Sequence, residues 1–197
     1  MNSKDEQANR LLIIACGNPL RCDDGVAWQA AEEIRRKFPS PAKIICVHQL
    51  TPELSEEASC ADTVIFIDAT RNGEPGKVLC QAISPDSTAV RFSHHLAPAQ
   101  VLALCKQLYG AEPRGFLISI SGECFDHGKG LSPAAINAIP QTVAEVYEVF
   151  RRMGVEPRGS SALSRGCANP LSASLQAFNS RSSNPSVKTL ISAHNLP

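Results

Sequence analysis

Asp23 and Asp24, Asp68, and the pair His94–His95 are the side chains of this 197-residue chain whose types and spacing could act together. The aspartates are adjacent in CGNPLRCDDG, Asp68 closes the apolar run VIFID, and the histidines stand in RFSHHLAPAQ ahead of a helical pattern. Carboxylates and imidazoles bind divalent cations. Two of the former with one of the latter suit a transition metal of intermediate softness, nickel or zinc, better than calcium or magnesium. Free N–H groups at a helix start favour negative charge, so Asp24 suits cation binding better than general-acid work. A carboxylate ending a buried strand, as Asp68 does, must find a compensating partner.

Each residue also has a plainer reading. Asp23 or Asp24 can cap the helix that follows Gly25, and spacing favours capping for one of them. Asp68 can equally cap the turn through RNG. At least one of His94 and His95 reads as a hydrogen-bonded or solvated loop residue. His48, inside a strand, reads as structural, and His127 in ECFDHGKG as a loop residue. Phosphate binding is disfavoured: ACGNPLRCDDG has neither G-x-G-x-x-G nor G-K-[ST] spacing, and it places two carboxylates where the anion would sit. Nucleophilic hydrolysis fares no better. There is no G-x-S-x-G elbow, and the cysteine candidates Cys22 and Cys124 have no base visible beside them in the sequence.

The elements that must position these groups alternate between strand and helix. LLIIACG (11–17), KIICVHQ (43–49), TVIFIDAT (63–70), VLCQAIS (78–84) and FLISISGE (116–123) read as strands, most of them continuously apolar, as when both sheet faces are covered. Helical spacing follows Gly25 through Ala27, Ala30, Ile34 and Phe38, and recurs over 97–110 and 132–154. TPELSEEA predicts a short helix with Thr51 as N-cap and Pro52 at the first helical position. Pro140 should bend or split the final helix. Such alternation implies an α/β layered fold with a largely parallel sheet. In that sheet, functional groups collect at the carboxyl ends of the strands, where all three places lie.

Composition excludes little but points one way. Net charge is zero, which argues against nucleic acid or an anionic membrane as partner. No apolar run reaches the ~18–20 residues that span a bilayer, and the polar start MNSKDEQANR lacks a secretory apolar region, so a cytoplasmic protein is expected. Eight cysteines without a C-x-x-C pair read as reduced thiols, several of them in apolar runs. Residues 1–155 form the expected α/β domain. Residues 156–197 hold ten serines and few periodic apolar positions, and read as a disordered tail.

GNPLRCDDGVA, VIFIDAT, SHHLAPAQVL and ISGECFDHGKGLSPAA, in that order, resemble the hydrogenase maturation proteases over roughly residues 11–152. These endopeptidases remove a C-terminal peptide from the large subunit of nickel–iron hydrogenases. The resemblance implies three layers, with a twisted, mainly parallel sheet of about five strands between helices. It further implies that Asp24, Asp68 and His94 bind metal, that Asp24 and Asp68 serve catalysis, and that nickel already installed in the precursor is what they recognise. His94 is selected because His94-His95-Leu96 fits an H-x-[LM] pattern; alignment one residue later selects His95. The implied partner is the large-subunit precursor, met by a monomer without nucleic acid or membrane. A non-catalytic, nickel-dependent checkpoint that binds immature large subunit is the alternative, and an unrelated α/β hydrolase a third. Ala15 and Ala27 stand where the family often has glycine, and Cys22 where a small residue is usual. Alanine disfavours positive φ, so local backbone geometry is the point to check there.

Overall fold

A computed structural model describes residues 10–38, 42–86, 96–128 and 130–154. His94, His95 and the serine-rich segment 156–197 lie outside the described residues.

Five strands make one sheet: β1 (Leu11–Cys16), β2 (Ala42–Val47), β3 (Thr63–Thr70), β4 (Val78–Ile83) and β5 (Arg114–Ser121), in the order β2-β1-β3-β5-β4. All neighbours are parallel except β4, which pairs antiparallel with β5 at the edge. The continuous apolar runs arise because both faces are covered, each by a different set of side chains. From β1 and β3, Leu11, Ile13, Ala15, Ile65 and Ile67 face one core, which also holds α1 (Val26–Lys37) and α4 (Pro133–Arg152). Leu12, Ile14, Val64 and Phe66 face the other, with α2 (Leu54–Ser59) and α3 (Pro98–Tyr109). Three layers result, as the resemblance implied.

The topology fixes where a site can form. After β1 the chain crosses over the α1 face to β2, and after β2 over the α2 face to β3. The crossovers therefore diverge between β1 and β3, and a crevice opens at the carboxyl ends of those two strands.

Three local expectations change. α2 starts at Leu54, with Glu53 rather than Thr51 in the N-cap position. The Thr51 and Pro52 carbonyls instead accept from Leu54 and Ser55 N–H at 3.2 and 3.0 Å, so a tight turn leads into the helix. Pro140 does not split α4, which runs unbroken from Pro133 to Arg152. Pro140 and Ile136, whose carbonyl loses its donor, are both exposed, so water can replace the missing bond. Ala15 and Ala27 lie in regular strand and helix, whereas Cys22 has φ +45°, the one non-glycine positive φ among the described residues. Of the three departures from the family pattern, the unusual backbone falls at the cysteine. No described helix is long and apolar enough to cross a membrane.

Candidate functional site

The first motif folds as a single 3₁₀ turn, Cys22–Gly25, between β1 and α1. Neither aspartate caps α1: its N-cap position is Gly25, which has no side chain to offer. The two carboxylates point into different surroundings. Asp23 is fully buried and accepts from Glu123 N–H (2.7 Å), Cys124 N–H (3.0 Å), Ser132 N–H (2.6 Å) and Ser132 Oγ (2.8 Å). Burial alone would raise its pKa, but those donors outweigh it and hold the carboxyl below the usual aspartate range. Ser132 is itself the N-cap of α4, its Oγ accepting from Ala135 N–H at 3.2 Å. Asp23 thus ties the first motif to the loop after β5 and to the start of α4. Arg21 reinforces the tie, its guanidinium donating to the Phe125 carbonyl at 3.2–3.3 Å.

Asp24 is half-buried and faces the crevice. Its Oδ2 accepts from Asn18 N–H at 3.0 Å, and its own N–H donates to Arg21 O at 3.0 Å. The flanking glycines explain the spacing of the motif. A Cβ on Gly17 (φ +144°) would collide with the Asp24 carbonyl, and one on Gly25 would lie 2.8 Å from Pro19 Cα. Gly17 N–H donates to Val47 O at 3.0 Å, which locks the turn to the end of β2.

Asp68 reaches the same crevice from β3. The β1–β3 pairing ends at Ala15–Ile67, so Asp68 is the first β3 residue beyond it. The period-two alternation places it on the Phe66 face, toward α2 and α3. The turn that follows is closed by Thr70 Oγ1, which accepts from Asn72 N–H at 3.2 Å, so Asp68 is not its cap. Asp24 and Asp68 line one cleft of about 410 Å³, together with Cys16, His48 and the Leu96–Pro98 segment that opens α3. Burial, opposed by a backbone hydrogen bond at Ala69 and aided by the Asp24 charge, lifts the Asp68 pKa to about 6. The Cys16 thiol is pushed to about 12 by burial and then by Asp68 and Asp24, which leaves it a poor nucleophile. Both shifts report a partly desolvated cleft of negative potential, which favours a cationic guest.

His48 is the residue that strand-level reasoning undervalued. It follows β2 directly, is exposed and lines the cleft, with its ring 5.3 Å from that of Trp28. Trp28 in turn donates from Nε1 to Val47 O at 3.2 Å. Its position one residue past an apolar run, rather than within it, was the available signal. His127 is exposed in the loop after β5, outside the cleft lining. Among the described residues, no three His, Cys, Asp or Glu side chains are grouped so that they could hold a metal ion. Asp24 and Asp68 each offer oxygen donors to the cleft.

No family model matches the chain. A hydrogenase expression/formation protein, HupD of Rhodobacter capsulatus, is 27% identical over 173 residues, covering 82% of this chain and 80% of that protein. Among solved structures, the hydrogenase maturating endopeptidase HybD from Escherichia coli superposes with a TM-score of 0.62 at 23% identity, over 77% of this chain and 99% of that one. The [NiFe] hydrogenase maturation protease HycI from Thermococcus kodakarensis gives 0.57 at 21% identity, over 74% and 95%. These structural neighbours share the fold: a five-stranded, mostly parallel sheet between helices.

Proposed function

We propose that this chain is a hydrogenase maturation protease, the endopeptidase that removes the C-terminal extension of a nickel–iron hydrogenase large-subunit precursor once nickel is in place. The observation that carries the reading is the convergence of Asp24 and Asp68 on one negative cleft at the carboxyl edge of the sheet. Nickel enters as part of the substrate. Asp24 and Asp68 supply oxygen ligands to it, and His94 the nitrogen. His94 stands two residues along the chain from Leu96, which lines the cleft. With no three metal-binding side chains grouped among the described residues, the precursor completes the coordination, and the free protein retains nickel weakly. A bound divalent cation would polarise a neighbouring peptide carbonyl.

The protein's own contribution is acid–base. A carboxyl with a pKa of about 6 can take a proton from an attacking water and return it to the departing amine near neutral pH. In the metal-free cleft Asp68 has that value, so Asp68 is the carboxyl suited to carry the proton and Asp24 the partner that orients the cation. On this reading the enzyme is an aspartate-dependent peptidase, working as a cytoplasmic monomer.

Incubating the protein with nickel-loaded precursor and weighing the product tests the proposal. Loss of a C-terminal peptide is expected, and it should be abolished by Asp24→Asn, Asp68→Asn or His94→Ala. Equal processing of nickel-free precursor would defeat the metal-guided reading. A stable complex with uncut precursor would favour the checkpoint instead.

A further inference from the structure

Two half-exposed cysteines lie outside the cleft and meet across the junction that Asp23 organises. Cys22 is in the 3₁₀ turn and Cys124 in the loop after β5, both are free, and their thiols lie near enough to influence each other. The backbones are in register as well. Asp23 N–H donates to the Cys124 carbonyl at 2.9 Å and Cys22 N–H to the Gly128 carbonyl at 3.3 Å, while Asp23 Oδ2 takes the Cys124 N–H at 3.0 Å. Cys22 Sγ packs so closely on Gly128 that a Cβ there would come within 3.2 Å of it. Cys22 also has the one left-handed non-glycine backbone among the described residues. That conformation costs on the order of 1 kcal/mol for an L-residue. It sets the thiol against Gly128, in the same loop as Cys124.

We propose that Cys22 and Cys124 form a thiol-oxidation site, which a small-molecule disulfide such as oxidised glutathione converts to an intramolecular disulfide that fastens the loop after β5 to the turn carrying Asp24. The exchange balances in two steps. One cysteine thiolate attacks a glutathione sulfur and expels glutathione thiolate. The second cysteine then attacks the resulting mixed disulfide at the protein sulfur and expels the other glutathione. The two protons leave with the two reduced glutathiones, and the pair has lost two electrons to the oxidant. Three of the other described thiols compete poorly. Burial pushes Cys16 to about 12 and Cys80 and Cys105 to about 11, which leaves little thiolate at neutral pH. The inference stands independently of the peptidase reading, because it uses neither the cleft nor its metal.

The test uses the purified full chain, reduced and then equilibrated with oxidised glutathione, alkylated, digested and analysed by mass spectrometry. The expected product is one peptide pair linked through Cys22 and Cys124, released by dithiothreitol and absent from both Cys22→Ser and Cys124→Ser. Linking residues about 100 apart in sequence should also raise the melting temperature by about 5–15 °C. Glutathione adducts on Cys22 or Cys124 without the link would overturn the proposal, as would a dominant link through another cysteine. A link that lowers the melting temperature would show that the fold does not hold the pair in bonding register, and would overturn it too. Should Cys22→Ser fail to fold, Cys22→Gly suits the left-handed backbone and removes the same thiol.

Discussion

Asp68→Asn should make the protein more stable and inactive at once, and the gain should depend on pH. In the folded chain the Asp68 pKa is about 6, against an unfolded value of 3.8, chiefly because burial penalises the charged form. The folded state therefore holds the proton more tightly, and stability falls as pH rises between about 4 and 6, then levels off. A shift of about two pKa units corresponds to about 3 kcal/mol above that window. Solvent reaching the half-buried carboxyl trims this to about 1.5–3 kcal/mol. Asparagine carries no charge to desolvate. The variant should thus exceed the parent by that amount at pH 8, and by only about 0.5 kcal/mol at pH 4. Urea denaturation of both proteins at the two pH values measures the difference directly, with equal m-values confirming that the same surface unfolds. A gap that stays flat with pH, or a variant that is weaker at pH 8, would refute the assignment of Asp68 as a desolvated carboxylate. Cleavage of precursor measured alongside should fall to background at both pH values.

Asp23 should show the opposite sign. Its lowered pKa contributes stability that is present above the unfolded value of 3.8 and is lost as pH falls through the folded one. Asp23→Ala leaves the Glu123, Cys124 and Ser132 donors unpaired and should cost on the order of 4 kcal/mol, read by urea denaturation at pH 7. Gly17→Ala drives a methyl into the Asp24 carbonyl at a left-handed backbone, and should reduce precursor cleavage at least about tenfold even where circular dichroism shows a folded protein. Asp24→Asn should lower the pKa of Asp68 by removing one of the influences that raise it, a change visible in carboxyl-carbon NMR titration.

The sheet was legible because burial on both faces writes itself into β1 and β3 as unbroken apolar runs; Thr63–Thr70 emerges with the boundaries read from the sequence. Gly110 ends α3 in the left-handed conformation that glycine permits, as its position suggested. Less legible was what the polar residues do locally. Asp23 looked like a helix cap because capping is the commonest use of an aspartate before a helix. Its actual partners lie about a hundred residues away, and no spacing rule reaches that far. The thiol pair of Cys22 and Cys124 escaped notice for the same reason. His48 looked structural because β2 was read as running to residue 49, whereas it stops at Val47 and releases the imidazole to the cleft.

The buried Asp23 carboxylate also sets a timetable. Its partners at Glu123, Cys124 and Ser132 are made long after the turn that carries it has left the ribosome. Until then a chain holding β1, β3 and both cleft aspartates has an Asp23 carboxylate without the donors that bury it in the finished fold. Contacts of such sequence separation close late in folding. The turn that carries Asp24 is therefore anchored on its Asp23 side only when nearly the whole domain has been synthesised, and a chain that ends before Ser132 lacks that anchor.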